Sequence, residues 1–138
     1  MAKASLSLLA LAGLLALVVS AGASGRRPAD AYTADTAGFV ISGSARGLYP
    51  GARRTLVIRV GNRKPVAIRV VSLRVNVLAA RNGCAAANVR VGRFRRTLTV
   101  RARGSGFLVL PISMLRRAPD SCQGAVFPLV FTGKAVGG

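Results

Sequence analysis

Arg53-Arg54-Thr55-Leu56-Val57-Ile58-Arg59-Val60 is the stretch on which the reading of the fold turns. Leu56, Ile58 and Val60 fall on one face, and Arg53, Thr55, Val57 and Arg59 on the other, the period of two that marks a half-buried strand. Just upstream stands Leu48-Tyr49-Pro50-Gly51. Proline presets φ and glycine accepts a positive φ, so a type II turn is expected there. Downstream, Gly61-Asn62-Arg63-Lys64-Pro65 reads as a second turn, and Pro65 keeps the strand from simply running on.

The same grammar extends in both directions. Gly38 to Ser44 reads as the first strand. In 66–77, Val66, Ile68 and Val70 are in phase, whereas Leu73, Val75 and Val77 are in phase one residue later. A slip of one in a period of two implies a bulge or bend around Val70-Val71-Ser72. Val89 to Arg93 is a short strand, and 95–103 alternates again, with Leu98, Val100 and Ala102 inward and Arg95, Thr97, Thr99, Arg101 and Arg103 outward. Phe107 to Met114 and Ala125 to Lys134 are apolar on both faces, as buried strands are. Pro111 and Pro128 lie inside them, and each removes a ladder donor, which marks a bulge or an edge. Six to seven antiparallel strands punctuated by turns make an all-β, immunoglobulin-like sandwich the expected fold, with an OB-type barrel as the alternative.

The N-terminus addresses the compartment. Lys3 precedes an uncharged apolar run from Ala4 to Val19, and Ala21-Gly22-Ala23 has the small-x-small form of a signal-peptidase site. The expected organisation is therefore a helical signal peptide over 1–23, a flexible lead-in over 24–37 and one sandwich domain over 38–138. The run is short for a bilayer span, and an uncleaved N-terminal anchor is the competing reading. The implied location is secreted or extracytoplasmic, in association with the envelope.

The charge is extreme: 21 Lys and Arg against three acids, for a net +18 over 138 residues. A functional reading makes the protein a ligand of an anionic partner, such as an acidic envelope polymer or lipid headgroups. The competing reading is a compositional excess of Arg on a solvated surface. Such an excess exceeds what solubility requires, and it repels itself. Two cysteines in an exported chain are most simply one disulfide, Cys84 to Cys122. Free thiols or a metal pair are the alternatives, although the chain has no His and few carboxylates with which to complete a metal site.

Leu48-Tyr49-Pro50-Gly51, the alternating strand ending in Val60-Gly61-Asn62 and the strand from Val66 resemble the opening of bacterial immunoglobulin-like extracellular domains. With Cys84 and Ala118-Pro119-Asp120-Ser121-Cys122-Gln123-Gly124 added, the chain from about Phe39 to Ala135 is similar to small secreted immunoglobulin-like proteins of actinobacteria. The resemblance implies fold and export, and it supplies no site residues.

Catalysis is not expected. General acid–base chemistry draws on His, Glu or Asp. The chain has no His or Glu, and its acids, Asp30, Asp35 and Asp120, are scattered. No cofactor, metal or small-molecule substrate is implied. Three surfaces remain as candidates. If 53–60 pairs with 95–103, as the second and fifth strands of such a sandwich do, then Arg53, Arg59, Arg95, Arg101 and Arg103 share a face suited to phosphate, sulfate or carboxylate oxygens. Arg116-Arg117, in a loop tied by Cys122, is a remote candidate for a protease-inhibitor loop. Arg93-Phe94-Arg95-Arg96 has the mixture that stacks on single-stranded bases, although a core Phe is the plainer reading and no specific nucleic acid is expected. The expected function is adhesion as an exported binding module. The rival is a passive structural or protein-interaction domain.

Overall fold

The computed structural model describes residues 32–36 and 38–137. The signal peptide, its site at Ala21 and Ala23, and the first part of the lead-in lie outside the described residues. Eight strands are described: β1 (Tyr32–Thr36), β2 (Phe39–Ser44), β3 (Arg53–Asn62), β4 (Ile68–Val77), β5 (Val89–Val91), β6 (Leu98–Val100), β7 (Ser105–Met114) and β8 (Leu129–Gly137). They form two antiparallel sheets, one ordered β1-β2-β3-β7-β5 and the other β6-β4-β8. Their inner faces meet in a single core. Ile41, Leu56, Ile58, Val60, Leu110 and Ile112 come from the first sheet, and Ile68, Val70, Leu73, Val100, Leu129 and Phe131 from the second.

Local sequence accounts for much of this. Leu56, Ile58 and Val60 are buried, as the alternation requires. The Pro50-Gly51 turn forms, with Gly51 at φ 85° and the Ala52 N–H donating to the Tyr49 carbonyl at 2.8 Å. The slip in β4 is a register shift against β8 between Val70 and Ser72. It lets Leu73 turn inward after Val70 has done so. Cys84 and Cys122 are bonded, with Cα atoms 5.2 Å apart, and tie the β4–β5 connection to the β7–β8 connection.

Three expectations are corrected. Tyr32–Thr36, within the segment read as a lead-in, pairs along its length with β2. Backbone pairing to an edge needs no apolar pattern, so a sequence without one hides it. The alternation over 95–103 yields only Leu98–Val100 as strand, and that strand joins β4 in the second sheet rather than β3. The partner of β3 is β7, in register from Arg53 opposite Ser113 to Gly61 opposite Ser105. The partner of β3 is thus the strand that follows the 95–103 segment, because alternation marks a strand without naming its neighbour. Finally, β7 is not buried on both faces: Phe107 and Val109 are 63% and 62% exposed on the outer face of the first sheet.

Candidate basic site at the Asn62 end

β3 runs the length of its sheet, and a cluster of turns lies at each of its ends. At its start lie the disulfide, the Pro50-Gly51 turn and the loop after β7. At its finish lie the β3–β4 turn and the β6–β7 turn, and one residue joins them. Asn62 is 3% exposed, the one buried polar residue among those described. Its Nδ2 donates to the Val66 carbonyl at 2.8 Å, the Arg101 carbonyl at 3.0 Å and, more weakly, the Val100 carbonyl at 3.3 Å. Its Oδ1 accepts from the Lys64 N–H at 2.9 Å, closing an Asx turn. Main-chain bonds complete the joint: Asn62 N–H to the Gly104 carbonyl at 2.8 Å, and Arg103 N–H to the Lys64 carbonyl at 3.0 Å.

This joint positions cations. Arg101 and Arg103 are exposed on the β6–β7 turn, and Lys64 on the β3–β4 turn. Arg59 extends from β3 to the same end, where its guanidinium donates to the Ser105 hydroxyl at 2.8 Å. Arg103 adopts φ 51°, alone among the described non-glycine residues in the left-handed region. That conformation is unfavourable for a residue with a Cβ, and the surrounding bonds hold it. The end thus carries Arg59, Lys64, Arg101 and Arg103. Asp120, the only acid whose side chain is described, lies in the disulfide-bearing β7–β8 connection, beyond the other end of β7. A multidentate anion would suit cations grouped in this way.

Of the five arginines proposed as one face, the structure brings three together. Arg59, Arg101 and Arg103 share the Asn62 end, although through two turns rather than through a shared ladder. Arg53 stands at the opposite end of β3, opposite Ser113. Arg95 lies in the segment that crosses from β5 to β6. Lys64 and Asn62 were missed as site residues. The signal for them was present: an Asn two residues before Lys64, in a turn that must be fixed, is the usual source of an Asx bond.

The remaining candidates are placed as follows. Arg116 and Arg117 are exposed in a turn closed by the Ala118 N–H to the Leu115 carbonyl at 3.0 Å. Phe94 is half-buried and packs against the core, while its neighbours Arg93, Arg95 and Arg96 are exposed. Among the described residues, no helix is long and apolar enough to cross a membrane.

Fold and site together define a disulfide-linked, antiparallel β-sandwich with a strongly basic end. Comparison with protein families, curated proteins and solved structures finds no match for this chain.

Proposed function

We propose that this chain is an exported binding module without catalytic chemistry. In this reading it is an immunoglobulin-like sandwich that adheres to an anionic polymer or anionic surface of the cell envelope through its basic end. The type of sandwich is supported by the β3–β7 and β4–β8 pairings, one in each sheet, with their buried residues facing each other. Export is supported by the Lys3 to Ala23 pattern and by a disulfide, which persists mainly in oxidising compartments.

The observation that carries the binding reading is the Asn62 joint. A diffuse excess of Arg needs no buried polar residue to arrange it. Here a 3% exposed Asn makes four hydrogen bonds that fasten the turn of Lys64 to that of Arg101, and the Arg103 N–H bonds the Lys64 carbonyl beside it. Recognition would be by charge and by Arg forks, so binding should weaken steeply with salt. The test is salt elution from a heparin-type column. Arg101→Gln/Arg103→Gln should elute earlier than wild type, and Arg53→Gln, at the opposite end, should shift the elution less. With a duplex as probe, the double variant should flatten the salt dependence by a slope of roughly 2. Co-elution of the double variant with wild type would overturn the site.

A further inference from the structure

The second candidate surface is a sheet edge. β7 has ten residues, and on one side β3 pairs with nearly all of it. On the other side, β5 pairs only with Ile112, Ser113 and Met114. One further bond follows, from the Gly92 N–H to the Pro111 carbonyl at 2.7 Å. There the ladder stops, for two reasons visible in the residues. Pro111 has no N–H to donate. Its ring also crowds the neighbouring chain, since a Cβ on Gly92 would lie 2.5 Å from Pro111 Cγ. Beyond Gly92 the chain leaves the sheet to reach β6.

In an antiparallel strand, alternate residues direct their N–H and C=O to the same edge. The Pro111 carbonyl points toward β5, so the main-chain groups of Val109 and Phe107 point to that edge as well. Neither residue has a backbone partner there among the described residues. Between this edge and the 93–97 segment lies a groove of about 440 Å³, with Leu98, Leu108 and Leu110 among its lining. Arg93, Arg95 and Arg96 rim it. On the outer face beside it, Phe107 and Val109 are exposed, and Val57, opposite Val109, is 52% exposed.

An open edge of this kind is a template for another strand, and charge is the common device that restricts what pairs with it. The charged residues lining the groove are all cationic. It repels a second copy of a chain carrying +18, and it attracts an acidic one. We infer that the Phe107–Val109 edge of β7 accepts an extended acidic peptide segment as an added strand. Its main chain pairs with Val109 and Phe107, its carboxylates meet Arg93, Arg95 and Arg96, and its apolar side chains cover Phe107 and Val109. This site adjoins the Asn62 end where Arg59 lies opposite Phe107, but it draws on none of Lys64, Arg101 and Arg103.

The test uses the folded, disulfide-bonded protein and three synthetic peptides of about eight residues, the length of an ordinary strand. One alternates Glu and Val. The second has the same sequence with alternate amides N-methylated, which keeps every charge and removes one edge of donors. The third alternates Lys and Val. The Glu/Val peptide should bind, should protect the Phe107 and Val109 amides from hydrogen exchange, and should lose at least roughly tenfold in affinity on N-methylation, because strand addition is held by main-chain bonds. Val109→Pro removes an edge donor without touching a β3 bond and should cause a comparable loss. Should that variant fail to fold, the N-methylated peptide decides the question alone. Arg101→Gln/Arg103→Gln should leave peptide binding unchanged. Equal binding of the methylated and unmethylated peptides would overturn the proposal. So would binding of the Lys/Val peptide, a self-associated dimer protected at Val109, or failure of the Glu/Val peptide to bind at all.

Discussion

The side-chain amide of Asn62 donates to the main-chain carbonyl of Arg101 at 3.0 Å, across 39 positions of sequence, and so fastens the end of β3 to the turn that carries two of the exposed arginines. The turn and the arginines are local features. What brings them together is a buried amide from a different strand.

Replacing Asn62 by Ala should therefore be among the more damaging single changes outside the apolar core. It leaves the buried Val100 carbonyl, and the part-buried Lys64 N–H and Val66 and Arg101 carbonyls, without their side-chain partner. Loss of about 1–3 kcal/mol is expected, from the general cost of orphaned buried polar groups. Urea denaturation would measure it, and polyanion binding should weaken in the same variant while it is still folded.

Arg103→Gly separates conformation from charge. At φ 51° a side chain is unfavourable and glycine is not. The variant should melt no lower than wild type, and up to about 1 kcal/mol more stably, while eluting earlier from a polyanion column. Arg103→Val, with a branched Cβ in the same conformation, should lose both stability and binding. A thermal melt and a salt gradient distinguish the two.

The disulfide closes a loop with a sequence separation of 38. The exported protein should show no free thiol, and a digest should yield Cys84 joined to Cys122. Cys84→Ala/Cys122→Ala should cost about 2–5 kcal/mol, the range for a native disulfide in a small domain. Asn88 Nδ2 lies 3.9 and 3.7 Å from the two sulfurs and would lose both contacts in that variant.

Net charge sets the salt response. Most surface cations repel one another, and at about 0.15 M salt that repulsion is screened beyond about 8 Å. The melting temperature should rise from low to moderate ionic strength. A polyanion at equal ionic strength should raise it further by binding the native state. A melting temperature indifferent to both would show that the cations already sit too far apart to interact.

Intact mass of the exported chain tests the compartment. Cleavage after Ala23 gives a product beginning at Ser24, whereas a product retaining Met1 and partitioning with membranes is what an uncleaved anchor gives.

The sequence by itself determined the all-β class, the turn at Pro50-Gly51, the disulfide pairing and the bulge near Val71. The disulfide follows from there being only two cysteines, and the others are short-range facts. A period of two states which side chains must be buried, Pro beside Gly states where the chain can reverse, and a slipped phase states where a ladder must skip. Partner choice was not legible in the same way. The alternating signal of β6 is the same whether it pairs with β3 or with β4, so the expected ladder of Arg53 and Arg59 against Arg95, Arg101 and Arg103 dissolved once β7 took that place. The exposure of Phe107 and Val109 was likewise invisible. A strand that is apolar on both faces reads as buried, and only the order of the sheets reveals that one face, and half of one edge, has nothing packed on it among the described residues. Asn62 shows the same limit most plainly: its identity is local, but the carbonyls it binds are brought to it by the closing of two sheets.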